Sequence, residues 1–174
     1  MKRLLLVIDM QNDFINGTLG TNEASAIVDK VVAKIQGFDG EIMYTKDTHT
    51  VDYMKTCEGR NLPVQHCIKG TDGWRLQPDI EKVFLDLQCE GVEKGTFGSK
   101  DLPEIIMKKF PDGLDEIELI GLCTDICVIS NALLLKAFFP EVNISVDQSC
   151  CAGVTPESHK TALEAMKMCH IDVK

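Results

Sequence analysis

The chain is short of positive charge, of aromatic residues and of any long apolar run. Its 18 Lys and Arg face 27 Asp and Glu, a formal net charge of −9. That balance argues against nucleic acid or an anionic membrane surface as the main partner. No apolar stretch approaches the length needed to cross a bilayer. Met1-Lys2-Arg3 before Leu4–Ile8 has the outline of a secretory leader. That run is too short, though, and it ends in Asp9 with no small-residue cleavage site, so a cytoplasmic protein is expected. Repeats, low-complexity tracts and long linkers are missing. Paired C-x-x-C knuckles are missing too, although there are eight cysteines. A chain this rich in core-forming residues has no need of a disulfide scaffold, and most of these thiols read as small, reduced, half-buried apolar side chains. The 174 residues fit one domain, 1–174, with a sizeable core.

The most informative stretch is Glu116–Val128. Ile117, Leu119 and Ile120 read as a short buried strand, and Gly121 permits a sharp exit from it. Thr124 or Asp125 can cap a following helix, supplied by the apolar run Ile126–Phe139. Cys127 then falls in the first helical turn, where free N–H groups and the helix dipole favour thiolate over thiol. A strand-to-helix corner holding such a thiol suits a nucleophile. A buried structural cysteine is the equally weighted alternative.

Other strands punctuate the chain. Leu4–Ile8 is continuously apolar, as in a strand buried on both faces, and ends at Asp9. A helix over Glu23–Gln36 follows from Ile27, Val31 and Ile35. Glu41–Thr45 is a second strand, running into Lys46-Asp47-Thr48-His49, whose Asp-x-His spacing puts both side chains on one face of an extended segment. Residues 50–79 read as mostly irregular, a length of loop that is often functional. Pro78–Leu87 is a helix, Gly91–Glu93 a third strand leading to Lys94-Gly95, and Leu102–Phe110 a helix. Val142–Val146 is a further strand, and Thr155-Pro156-Glu157-Ser158 opens a last helix with a cap, a first-turn proline and an early acid. Ile171–Val173 closes the order. Alternating strands and helices with apolar strands imply a parallel sheet covered on both faces. Asp9, Asp47, Lys94 and Cys127 then lie at or beyond the carboxyl ends of four strands, where such sheets place their sites. Singly, each has a plainer reading: a turn-forming aspartate, a solvated lysine, a packed cysteine.

Five blocks in order carry a resemblance that spans nearly the whole chain. They are Val7-Ile8-Asp9-Met10-Gln11-Asn12-Asp13-Phe14, Thr45-Lys46-Asp47-Thr48-His49, Leu62-Pro63-Val64-Gln65-His66-Cys67-Ile68-Lys69-Gly70-Thr71, Lys94-Gly95, and Gly121-Leu122-Cys123-Thr124-Asp125-Ile126-Cys127-Val128. Together they resemble the isochorismatase-like cysteine hydrolases, and within them the nicotinamidase/pyrazinamidase branch. The resemblance implies a three-layer α/β/α fold with a six-stranded parallel sheet. It also implies an Asp–Lys–Cys triad of Asp9, Lys94 and Cys127, and an oxyanion hole from the backbone N–H groups of Cys123 and Cys127, with a cis peptide at Leu122–Cys123. The implied reaction cleaves a small carboxamide, nicotinamide to nicotinate and ammonia, through a thioester.

Asp47, His49 and His66 are two imidazoles and a carboxylate, a set suited to Zn, Fe or Mn with open positions. In nicotinamidases the matching residues hold a divalent metal, whereas isochorismatases of the fold lack the site. Some relatives carry a further histidine shortly after the Asp-x-His. Val51–Cys57 has none here, which leaves that position to water. Leu62 stands where an aromatic often precedes the proline, so Phe14, Trp74 and Tyr53 become the candidates for contact with a substrate ring. Cys123 replaces a frequent alanine, as a small residue or as a second thiol open to oxidation. The rivals are an isochorismatase-type or N-carbamoyl amide hydrolase and a non-catalytic member of the fold. Self-association into a homo-oligomer is expected from the resemblance alone.

Overall fold

The computed structural model describes all of residues 1–174. Six strands form one wholly parallel sheet: β1 (Arg3–Ile8), β2 (Glu41–Asp47), β3 (Glu90–Lys94), β4 (Glu116–Leu122), β5 (Asn143–Ala152) and β6 (Asp172–Val173), in the order β3-β2-β1-β4-β5-β6. Leu4–Ile8 are all fully buried, as a strand flanked by two partners and covered on both faces must be. Helices α2 (Asn22–Ala26), α3 (Val28–Gly37) and α5 (Pro78–Asp86) pack in one group, and α6 (Leu102–Lys109), α7 (Ile129–Phe138) and α8 (Pro156–Met168) in another. The result is the three-layer α/β/α arrangement that the strand–helix alternation implies. No helix is long and apolar enough to cross a membrane.

The sheet grows outward from β1 in both directions. β2 and β3 follow on one side, and the chain then crosses back to lay β4, β5 and β6 on the other. The order reverses beside β1, and loops leaving neighbouring strands part there to open a crevice at the strands' carboxyl ends.

Several sequence boundaries shift. The helix expected over Glu23–Gln36 is broken at Ile27 into α2 and α3. The 50–79 stretch is more ordered than its composition suggests. It holds the short helix α4 (Cys57–Asn61), capped by the Thr56 hydroxyl on the Gly59 N–H, and a single 3-10 turn at Tyr53–Lys55. A four-residue helix α1 (Asn12–Ile15) follows β1. β5 runs on to Ala152 past an irregularity where its register with β4 shifts between Leu119 and Gly121. At α8 the sequence signature is realised: Thr155 and Ser158 form a reciprocal capping box with Pro156 in the first turn.

Candidate active site

Each strand end delivers one group. Asp9 follows β1 with φ of 47°, a left-handed conformation that aspartate tolerates better than most side chains. Its N–H donates to the Thr45 carbonyl (3.2 Å), and the Thr45 hydroxyl donates to Asp9 Oδ1 (2.7 Å). Asp47 and Lys94 are register partners at the ends of β2 and β3. Gln11 pins the end of β2 from the side: its amide donates to the Asp47 carbonyl (2.8 Å) and accepts from the Asp47 N–H (2.7 Å).

Gly121 makes the fourth corner. Its φ of 114° is a region L side chains rarely adopt, and a Cβ there would collide with the Ile8 carbonyl oxygen. β4 can therefore lie flush against β1 to its last residue. The Leu122–Cys123 peptide is cis. The helix expected over Ile126–Phe139, capped by Thr124 or Asp125, begins instead as a π-helical turn, Thr124–Val128, with Cys123 at its N-cap and no side-chain cap, before α7. Val128 N–H reaches five residues back to the Cys123 carbonyl (3.0 Å), and this wider turn carries Cys127.

Lys94 is where the groups meet. Its Nζ lies 2.6 Å from Asp9 Oδ2, 3.3 Å from Asp47 Oδ1 and 3.4 Å from Cys127 Sγ, and it donates to the Thr96 carbonyl at 3.1 Å. Asp9, Lys94 and Cys127 are all buried. Burial pulls the Lys94 ammonium down, but the negative groups around it outweigh burial and hold its pKa well above the ordinary lysine value. Burial raises Asp9 while Lys94 opposes it, and the net direction is up, toward a stronger base than a solvated aspartate. Burial also pushes the Cys127 thiol well up, and the charge of Asp9 adds to this. Desolvation and the neighbouring carboxylate thus act against the local dipole that the sequence pointed to, while Lys94 acts with it.

Beside this cluster stands a second. Asp47, His49, Glu58 and His66 place one donor atom each within 4.8 Å of one another. Asp47 Oδ2 is 2.9 Å from His49 Nε2 and 3.5 Å from His66 Nε2, and Glu58 Oε1 is 3.4 Å and 3.8 Å from the same nitrogens. His66 Nδ1 bonds the Val64 carbonyl (2.9 Å), which puts the proton there and leaves the Nε2 lone pair facing the carboxylates. His49 Nε2 is buried and makes no hydrogen bond, although Asp47 is close. A buried nitrogen without a donor or acceptor, ringed by carboxylate and imidazole, fits a divalent cation. Burial pushes Asp47 up, but the closely approaching His49 and His66 imidazoles and the charge of Lys94 outweigh it and hold it well below the usual carboxylate range. Glu58 is the residue sequence reasoning missed. Some relatives have a histidine shortly after the Asp-x-His, and here a carboxylate on the capped helix α4 joins the cluster.

Both clusters open into one cavity of about 310 Å³. Cys127, Cys123, Asp47, His66 and Glu58 line it together with Phe14, Leu19, Leu62, Phe97, Ile126 and Val154. Phe14 is thus at the cavity, as sequence suggested, and Phe97 joins it. Trp74 and Tyr53 are not in its lining. Lys46 Nζ sits 3.1 Å over the Trp74 ring, whose Nε1 donates to Thr48, and Tyr53 is buried behind the histidines. All eight cysteines are free.

The isochorismatase domain family matches residues 3–173. The chain belongs to that family. Among its relatives, the nicotinamidase/pyrazinamidase of Mycobacterium tuberculosis is 28% identical over 191 residues, covering 98% of this chain and 97% of the relative. The N-carbamoylsarcosine amidase of Thermoplasma acidophilum superposes with a TM-score of 0.77 at 26% identity, covering 100% of this chain and 96% of that one. The pyrazinamidase of Pyrococcus horikoshii, solved in complex with zinc, superposes with a TM-score of 0.81 over 100% and 99% of the two chains, and at 24% identity this likeness concerns the isochorismatase-like fold.

Proposed function

We propose that this family member, an amidohydrolase, cleaves a small ring carboxamide, nicotinamide to nicotinate and ammonia, with Cys127 as nucleophile. The observation that carries the reading is the single cavity whose floor holds Cys127 next to the Asp47, His49, Glu58 and His66 cluster, under apolar walls. Phe14 and Phe97 offer faces for a flat ring, and the cluster lies to one side of the sulfur. A divalent cation held by those four residues would supply a Lewis-acidic seat for the ring nitrogen, orienting the amide.

The steps follow from the triad. The Cys127 sulfur attacks the amide carbonyl carbon as its proton passes to Asp9, and Lys94 balances the charge on both. The carbonyl oxygen becomes an oxyanion, met by the N–H groups of Cys123 and Cys127 at about 3 kcal/mol per donor. The C–N bond breaks, ammonia leaves with the proton from Asp9, and a thioester remains. Water, deprotonated by Asp9, attacks the thioester, and the carboxylate leaves as Cys127 regains its proton. Burial that raises both the Cys127 thiol and the Asp9 carboxyl agrees with this order of proton transfer.

A carbamoyl amino acid or another anionic substrate would need a cation on the wall. The lining contains no lysine or arginine, so once the cation cluster faces the ring nothing remains to pair a substrate carboxylate, which favours a neutral amide. The test is ammonia release over a panel of neutral and anionic amides, with metal analysis of the same preparation and a Cys127→Ala control. Turnover of nicotinamide, lost in the control, is expected. Turnover confined to carbamoyl amino acids, or activity surviving Cys127→Ala, would overturn the reading.

A further inference from the structure

Tyr53 is the bulkiest of the fully buried side chains, yet it stands outside the main hydrophobic core. Its neighbours are the histidines of the cation cluster. Its ring centroid lies 4.7 Å from that of His49 and 4.9 Å from that of His66, while the two imidazoles are themselves 4.9 Å apart. The three rings form a closed triangle, tilted 56° to 77° to one another.

The rest of the residue reaches the other parts of the site. The Tyr53 carbonyl accepts from both the N–H (2.9 Å) and the hydroxyl (2.7 Å) of Thr56, the residue that caps α4 and so places Glu58. A Cβ on Gly59, next to Glu58, would collide with that same carbonyl, so α4 lies hard against it. The Tyr53 hydroxyl donates to the Leu62 carbonyl (3.0 Å), at the far end of α4, and Leu62 lines the cavity.

We infer that Tyr53 is the positioning residue of the cation seat: its ring fixes both imidazoles and its backbone fixes the helix that presents Glu58. The inference rests on the cation reading of the preceding section and adds a residue that touches neither cation nor substrate. Groups behind metal ligands set ligand orientation, and their loss typically weakens binding by about 10- to 100-fold.

The experiment is zinc titration of the metal-stripped full chain against a competing chelator. It compares the parent with Tyr53→Phe and Tyr53→Leu, each checked for fold by circular dichroism, and adds the visible spectrum with cobalt in place of zinc. Tyr53→Phe keeps the ring and should bind zinc within about threefold of the parent with its cobalt bands in place. Tyr53→Leu should bind about 10- to 100-fold more weakly with shifted bands. Should Tyr53→Leu fail to fold, the unbranched Tyr53→Met takes its place. If the ring-less variant folds and binds zinc as the parent does, Tyr53 is only packing and the inference falls. If the parent itself takes up no zinc, the cation reading falls first and takes the inference with it.

Discussion

Replacing Lys94 with methionine removes one charge from the buried meeting point and keeps the stem that packs there. In the parent, Lys94 Nζ lies 2.6 Å from Asp9, whose carboxylate is wholly buried. Breaking a buried pair from one side typically costs about 3–5 kcal/mol, because the remaining charge is stranded. For a chain of this size that corresponds to a fall in Tm of roughly 6–20 °C. Asp9 has one way to limit the loss, which is to take up a proton. Its folded-state pKa, already raised by burial, then climbs further above the unfolded value of about 3.9. Between the two values the folded state binds more protons than the unfolded state. Stability therefore falls as pH rises, by up to about 1.4 kcal/mol per unit, and levels off above the folded pKa. The assay is urea unfolding of metal-stripped parent and variant from pH 5 to pH 8. Lys94→Met should be close to the parent at the acid end and diverge toward neutrality. The double variant Asp9→Asn with Lys94→Met, which carries neither charge, should recover part of the loss. A loss under about 1 kcal/mol at all pH values, or a double variant no better than the single one, would refute the argument that Lys94 exists to hold a charged Asp9.

Glu58→Ala should weaken zinc binding by roughly 10- to 100-fold in chelator competition while leaving Cys127 in place; unchanged binding would remove Glu58 from the ligand set. Gly121→Ala should cost roughly 3 kcal/mol or more in urea unfolding, since it adds both a strained φ and a collision with the Ile8 carbonyl; a near-neutral result would contradict the packing of β4 on β1. Acid should weaken the fold at the opposite end of the sheet. Burial raises Glu116 and Asp147, but Lys174 and Arg3 outweigh it at the first, and Ser149 and Lys34 at the second, so both fall below their ordinary values. Their stabilisation is present above about pH 4 and is lost as pH falls through the depressed folded values, so the urea midpoint should drop between pH 5 and pH 3. A flat midpoint would count against these ion pairs.

The order of strands and helices was written in local pattern. Leu4–Ile8 is a central strand because five consecutive apolar residues can be satisfied only by burial on both faces, and Thr155-Pro156-Glu157-Ser158 starts a helix because its own atoms close the cap. The placing of Asp9 was legible for the same reason, as it follows the apolar run Leu4–Ile8 directly, and Asp47, Lys94 and Cys127 stand within a few residues of the other strands' ends. What chain order left open depends on groups far apart in sequence meeting in space. Burial and Asp9, 118 positions away, push the Cys127 thiol up against the purely local dipole. The identity of the fourth group beside the histidines depends on α4 folding back against Tyr53, a contact no periodicity encodes. Local chemistry thus determined which elements form and which side chains stand at their ends. Only the tertiary structure decided their neighbours and the direction in which those neighbours shift them, because desolvation and Coulomb interactions act through space and not along the chain.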